Sequence, residues 1–402
     1  MKILYVVGNP GLKLDKESPG GNTVHILSTI KAFRQLGCEV TFLIAGEKAQ
    51  EKKADASYAK IKKVLPLSAA FFFKNIYKTV YSFKFYEFYK KYFENVSPDL
   101  IYERYCHFHF GCSLIAKRLK LPYIVEINSP PEAMRLHGPA PIVPLVRLIE
   151  KWVAKSADAI IVVSNSLRFY LSRIGISPEK IYVLANAVDC ELFNPGNVKK
   201  NIRDRYNLNG KIIVGYVGST SKNQRLDFLV ETAQRVVKII KNIHFLLICP
   251  FKDIEVFKKM LENKNMTKYF TLTGGVPHEE VPEYISAMDI CVHVHSNPHG
   301  SPIKIFAYGA MGKAVVAPDF EPVKEVSQHE ESILLFKPLN VKDFANSIAR
   351  LARDPSLRKS LGDNLRRHIS KNHTWQKNAE RILKIYETMR GKKITRNLYC
   401  QD

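Results

Sequence analysis

Three short segments of the 402-residue chain combine glycine, hydroxyl and basic side chains in the manner of anion-binding loops: Pro19-Gly20-Gly21-Asn22, Gly218-Ser219-Thr220-Ser221-Lys222-Asn223-Gln224-Arg225, and His299-Gly300-Ser301-Pro302-Ile303-Lys304. Each leads into a stretch with a helical apolar period. Its backbone N–H groups would therefore lie at a helix start, where unpaired donors and the helix dipole attract negative charge. For any one loop, relaxation of a tight turn accounts for the glycine equally well. Three together, with Lys222, Arg225 and Lys304 beside two of them, point to a phosphorylated ligand held between two domains.

The elements that must position these loops follow from periodicity. Ile3-Leu4-Tyr5-Val6-Val7 is an unbroken apolar run ending at Gly8, as expected of a strand buried on both faces. Thr23 to Leu36 has a helical period stopped by Gly37, and Val40 to Ile44 is the next strand. Strands at 100–102, 123–127, 159–163 and 181–184 continue the alternation, with helices near 111–119 and 143–156 and a Ser164-capped helix reaching Ile174. A second series opens at Lys211 and runs through strands at 244–249, 270–272 and 289–294. The repeated strand–helix order predicts an α/β protein with two facing, doubly wound Rossmann-like domains. Asn194-Pro195-Gly196-Asn197 is the expected linker. It separates residues 1–195 from a donor-side domain at 196–375, with a terminal helix at 376–390 crossing back and a tail at 391–402.

Composition narrows the partners. The chain carries 61 Lys and Arg against 38 Asp and Glu, a formal charge of +23, which favours nucleic acid, anionic lipid or phosphorylated small molecules. The basic residues are spread over the whole chain and no nucleic-acid-binding motif appears, so no nucleic-acid partner is expected. No run of 18 apolar residues exists, and the N-terminal apolar stretch is too short for a signal sequence, which implies a cytoplasmic protein. Seven scattered cysteines without a C-x-x-C pair support neither a disulfide framework nor a zinc ribbon. His107-Phe108-His109 and His293-Val294-His295 place histidine pairs on one strand face, but without an acid or cysteine at ligand spacing; satisfied crevice histidines are expected, and no metal. The aromatic and lysine-rich segment 70–93 has a stripe of Phe73, Tyr77, Tyr81, Phe85, Phe88 and Tyr92 that could face the core. Its remaining aromatics leave two readings open: a fully packed helix with snorkelling lysines, or a helix lying on an anionic membrane surface.

Further motifs occur in a recognisable order: Gly20-Gly21-Asn22-Thr23-Val24-His25, Leu36-Gly37-Cys38-Glu39-Val40, Ala157 to Ser164, Asn186-Ala187-Val188-Asp189 with Phe193 and Pro195, Gly300 to Phe306, Gly312 to Ala317, and the Trp375 helix. Collinear over nearly the whole chain, they resemble the retaining glycosyltransferases of the GT-B fold, family 4. The resemblance implies transfer of a sugar from a nucleotide-sugar to a glycan, lipid-linked or small-molecule acceptor, with anomeric configuration retained, the nucleotide-sugar a co-substrate, and no cofactor or metal. It implies charge-stabilising roles for Lys304 and Arg225 and donor contacts from Gly218, Ser219, Gly300, Ser301, Pro302 and Ile303. His299 and Glu126 are the further catalytic candidates of a pocket altered from the family's, in which His299 contacts the donor sugar or phosphate and Glu126, Asn128 or Glu321 takes over polar contacts. Gly20, Gly21, Asn22, Arg104 and Asn128 would form the acceptor or phosphate loop. A place in cell-envelope polysaccharide or glycolipid assembly, peripheral to the inner face of a membrane through residues 70–93, is the associated expectation. The family's two glutamates, eight positions apart, are replaced here by His299 and Ala307, and Gln224 stands where a basic residue is expected. A scaffold that kept the fold and lost turnover is therefore the second reading.

Overall fold

Buried along all but its first residue, as its apolar run requires, Lys2–Val7 is β1 of a six-stranded parallel sheet in the computed structural model. The structure describes residues 1–9, 12, 14, 20–45, 80, 82–87, 89–90, 92–137, 142–250, 254–295 and 297–399. With β2 at Glu39–Ile44, β3 at Leu100–Arg104, β4 at Tyr123–Ile127, β5 at Ala159–Val162 and β6 at Ile181–Val183, the strand order is β2-β1-β3-β4-β5-β6. Strand alternation divides the core. Leu4 and Val6 pack with Ile101, Val125 and Ile160 on one face, while on the other Tyr5 stacks on Tyr102 at 5.2 Å and Phe33 of the Gly21–Gln35 helix meets Tyr102 edge-on.

The second sheet comprises β7 (Ile212–Val217), β8 (Ile243–Ile248), β9 (Phe270–Leu272), β10 (Ile290–Val292), β11 (Ala314–Pro318) and β12 (Leu334–Phe336). Its order, β12-β11-β10-β7-β8-β9, is all parallel and reverses direction between β7 and β10. In an open α/β sheet that reversal opens a crevice at the C-terminal strand ends. Val214 and Tyr216 face a core with Phe228, Phe245 and Phe344, whereas Ile213, Leu246, Cys291 and Val315 face Phe306 and Ile369 on the other side.

Each sheet centres one compact unit. The first contains Met1–Lys13, Thr29–Leu184 and Ala379–Asp402; the second contains Leu14–Ser28 and Ala185–Asn378. Asn194 caps a one-turn helix at Pro195–Asn197 inside the second unit, and the terminal helix runs from Trp375 to Tyr399. Of the aromatic segment 70–93, residues 70–79, 81, 88 and 91 lie outside the described residues, and the others are helical. The inward stripe there is Ser82, Phe85, Tyr89 and Phe93, with Tyr92 exposed, which corrects the expected rotation. Ser82 sets it, since its hydroxyl donates to the Phe108 carbonyl at 2.7 Å and so turns inward, leaving Phe83 to lie edge-on against Phe110.

The helix Pro355–Asn372 approaches backbone closely at Gly362, where a Cβ would stand 2.2 Å from the carbonyl oxygen of Gly312. Alanine ordinarily favours a helix over glycine by about 1 kcal/mol. Here the neighbour is backbone and cannot rotate away, so Gly362→Ala should instead destabilise by about 1–3 kcal/mol, read as a lower urea midpoint. An unchanged or higher midpoint would show that the helix moves outward freely.

Candidate functional site

Two of the three glycine loops meet at the β7–β10 reversal, and the third joins them. Gly218 follows β7 with φ +148°, a conformation side chains rarely adopt, and a Cβ there would lie 3.0 Å from the Tyr216 hydroxyl and 3.1 Å from Lys304 Nζ. Gly21, the first residue of its helix, lies against Ile303, the first residue of the Ile303–Ala310 helix; a Cβ at Gly21 would be 3.3 Å from Ile303 Cδ1. Two helix N-termini thus converge beside the Gly218 turn. Helix N-termini and a glycine-rich approach make this a surface suited to an anion.

Lys304 supplies the charge. Its Nζ sits 4.3 Å from the centre of the Tyr216 ring and donates to Gln224 Oε1 at 2.6 Å and to the Tyr216 hydroxyl at 3.3 Å. Both acceptors are neutral. Burial without a carboxylate to offset it pushes the lysine down to about 7. Tyr216 donates to the Ser219 carbonyl at 2.7 Å, which ties the β7 turn to the same cluster. Gln224, at the position expected to be basic, is thus the hydrogen-bond acceptor for the lysine.

Arg225 is placed differently. It opens the Leu226–Ile239 helix in a left-handed conformation, φ +48° and ψ +48°, and its guanidinium forms a two-pronged pair with Asp227 at 2.8 and 3.0 Å. Ser301 is buried, and its hydroxyl accepts from the Asn186 amide N–H at 3.0 Å while its carbonyl accepts from Asn186 Nδ2 at 2.7 Å. Asn186 Oδ1 accepts in turn from His25 Nδ1 at 2.8 Å, and the His25 ring meets Trp375 edge-on at 4.8 Å. This His25–Asn186–Ser301 chain links the Gly21 helix to the Gly300 loop. All three residues belong to sequence motifs, but no local signal marks the roles of His25 and Asn186, because the bonded partners lie 161 and 115 positions apart.

His299 is part-buried, with burial lowering its pKa, and Ala307 packs into the core beneath the helix. Pro302 caps that helix. Of the paired histidines, His295 donates to the Asn223 carbonyl at 3.0 Å. His293 is buried with neither ring nitrogen partnered among the described residues; burial first, then its neighbours Lys304 and His295, hold it well below the ordinary histidine range.

In the first unit, the three candidates Arg104, Glu126 and Asn128 form one cluster at the ends of β3 and β4. The Glu126 carboxylate is 1% exposed and accepts from Tyr102 at 2.6 Å, from Asn128 Nδ2 at 2.5 Å and from Arg104. With donors on both oxygens, it orients Arg104 and Asn128. On the opposite face of the sheet, Glu103 is fully buried, accepts from His109 Nδ1 at 2.6 Å and from Tyr123, and has Cys112 beside it. Glu103, His109 and Cys112 could present ligand atoms within 4.8 Å of one another, but the carboxylate already has donors on both oxygens.

The fold has solved counterparts. A sucrose-phosphate synthase of Thermosynechococcus elongatus superposes with a TM-score of 0.74 at 19% identity, covering 98% of this chain and all of that one. Anabaena HepE in complex with UDP gives 0.71 at 14%, covering 96% and 100%. The fold is GT-B, an α/β architecture of two Rossmann-like sheets. Among sequence relatives, an uncharacterized glycosyltransferase of Methanocaldococcus jannaschii is 24% identical over 60% of this chain and 62% of its own length. The alpha-D-kanosaminyltransferase of Streptomyces kanamyceticus is 22% identical over 62% and 66%. The chain therefore spans a little under two thirds of these relatives. Residues 19–192 match the family model for Glycosyltransferase Family 4, and residues 211–354 match that for Glycosyl transferases group 1. The chain belongs to glycosyltransferase family 4.

Lys304 gives the site a pH signature. Its folded value is depressed from 10.5 to about 7, so the folded chain binds fewer protons than the unfolded one in between, and stability from this group rises with pH across that window and is lost as pH falls through 7. Lys304→Met removes the effect. The stability of the parent minus that of the variant, from urea midpoints near neutrality and at alkaline pH, should therefore increase with pH; a flat difference would mean the ammonium is well solvated.

Proposed function

We propose that the chain is an enzyme that transfers a sugar from a nucleotide-sugar donor to a glycan, lipid-linked or small-molecule acceptor with retention of anomeric configuration. The observation that carries this is Lys304: a part-buried ammonium, with only neutral acceptors, beside two convergent helix N-termini at the switch point of the second sheet. An ammonium so placed is completed by a ligand that brings its own negative charge, and a diphosphate does. HepE structures with UDP and with UDP-glucose support uridine donors as the first to try.

In the proposed reaction the donor's diphosphate lies across Gly218, Ser219 and the Gly300–Ile303 turn, with Lys304 on its oxygens. As the bond from the anomeric carbon to the diphosphate oxygen breaks, negative charge grows on the leaving group, and Lys304 with the helix N–H groups stabilises it in place. The departing phosphate oxygen accepts the acceptor's hydroxyl proton on the same face, and the acceptor oxygen bonds to that carbon. This geometry retains configuration and leaves Glu126 to orient Arg104 and Asn128. Arg225 can join only by leaving Asp227, which a diphosphate favours as a second negative partner. No carboxylate at 299 or 307 is available to hold the sugar or the ribose, so His299 is assigned the sugar-side contact.

A scaffold that binds a nucleotide-sugar without turning it over is the second reading, favoured by His299 and Ala307. Calorimetry with UDP-glucose and other nucleotide-sugars separates the two when coupled to product analysis. Lys304→Ala should weaken donor binding by roughly tenfold to a hundredfold, the equivalent of one charge-assisted contact, with little change in melting temperature. Gln224→Glu places a carboxylate against the ammonium and should weaken binding comparably by neutralising it. Donor affinity that is unchanged in both variants would move the phosphate site elsewhere.

A further inference from the structure

The first unit exposes a continuous apolar ribbon that neither the proposed reaction nor the core uses. In the helix Val143–Ser156, Val143, Val146, Val153 and Ala154 are buried, whereas Leu145, Leu148 and Trp152 are 47%, 65% and 43% exposed. Spaced by three and four residues, these three lie in one stripe along the helix. Trp152 meets Phe110 edge-on at 6.1 Å, and Phe110 meets Phe83 at 4.8 Å, so the stripe continues onto the neighbouring helix, where Phe83 is 56% and Val80 47% exposed. Five large apolar side chains thus share one surface, beyond the scattered exposure usual for a monomer.

We propose that this ribbon is a docking surface for an anionic lipid bilayer. The charges around it choose the occupant. Lys84, Lys151 and Lys155 flank the ribbon, and none of them has an acidic partner among the described residues. The nearby acids are already engaged: Glu87 by Lys90, Glu132 by Arg147, and Glu150 within the core, where Tyr170 donates to it at 2.8 Å. Aliphatic and tryptophan side chains bordered by free lysines match the boundary between acyl chains and anionic headgroups. A second copy of the chain fits poorly, since both would bring a formal charge of +23. Among the described residues no helix is long and apolar enough to cross a bilayer, so the contact is a surface one. It lies mainly on Val143–Ser156 and stands independently of the transfer reaction.

Co-sedimentation of the full chain with phosphatidylcholine vesicles, with and without phosphatidylglycerol, tests this directly. Retention is expected only with the anionic vesicles, and Leu148→Glu with Trp152→Glu should reduce it by at least about tenfold, with melting temperature unchanged. Tryptophan emission is a second readout. The chain has two tryptophans and Trp375 is buried, so a blue shift on adding anionic vesicles reports Trp152 entering a drier environment. Lys151→Glu with Lys155→Glu should weaken retention while leaving the apolar stripe intact. Absence of both retention and shift would overturn the proposal, as would equal retention by the Leu148/Trp152 double variant. So would a dimer, seen by sedimentation velocity without vesicles and dissolved by that same variant, which would make the ribbon a contact between copies.

Discussion

An ammonium withdrawn from water without a carboxylate to balance it is the constraint around which the second unit is arranged. Lys304 accepts that position because Tyr216 presents a ring face and Gln224 a neutral oxygen, each stabilising charge without cancelling it. The requirement propagates outward. Gly218 must lack a side chain because the lysine tip fills the space a Cβ would need, and the β7 turn is held by Tyr216 donating back to Ser219. The helix that carries Lys304 must start where it does, and the Asn186 bonds to Ser301 secure the residues before its first turn. A buried base with a pKa near 7 is also the kind of perturbed group that concentrates at functional sites.

The first unit solves the opposite problem. It buries carboxylates, Glu126 on one face of its sheet and Glu103 on the other, and gives each of them donors on both oxygens. Saturated in this way, a carboxylate costs little to bury and acts by fixing its neighbours: Glu126 holds Arg104 and Asn128 at the strand ends. Glu150 lies in the same unit with a single tyrosine donor at 2.8 Å and a histidine at 3.7 Å, and burial raises it to about 8. The contrast within one core is between carboxylates with donors on both oxygens and one with a single close donor, whose charged form burial disfavours.

Much of the fold was legible beforehand because parallel strands buried on both faces leave unbroken apolar runs, and amphipathic helices leave a 3.6-residue period. The helices Gly111–Leu119 and Val143–Ser156 begin and end where that period does. The rotation of the aromatic helix was not legible. Phe83, Phe85, Tyr89, Tyr92 and Phe93 all qualify as inward residues by type, and a hydrogen bond from Ser82 to a carbonyl 26 positions away settles which of them turn in. In the terminal helix, apolar periodicity past Met389 is too weak to mark an end, and backbone bonding carries it to Tyr399.

By itself the sequence determined the family's motif order, the alternation of strand and helix, and the loops whose glycines and cations suit an anion, since these depend on local chemistry and spacing. What only the tertiary structure decided is which of those groups face one another. It brought Gly21 to Ile303 and Gly218 to Lys304, turned Arg225 toward Asp227, and joined Arg104, Glu126 and Asn128 into one cluster. It also showed Gln224 as the partner of Lys304 and His25 as the far end of a chain to Ser301. The physical reason is common to all of these. Charge, burial and hydrogen bonding are properties of neighbourhoods, and in a doubly wound sheet the neighbours at a switch point come from segments far apart along the chain.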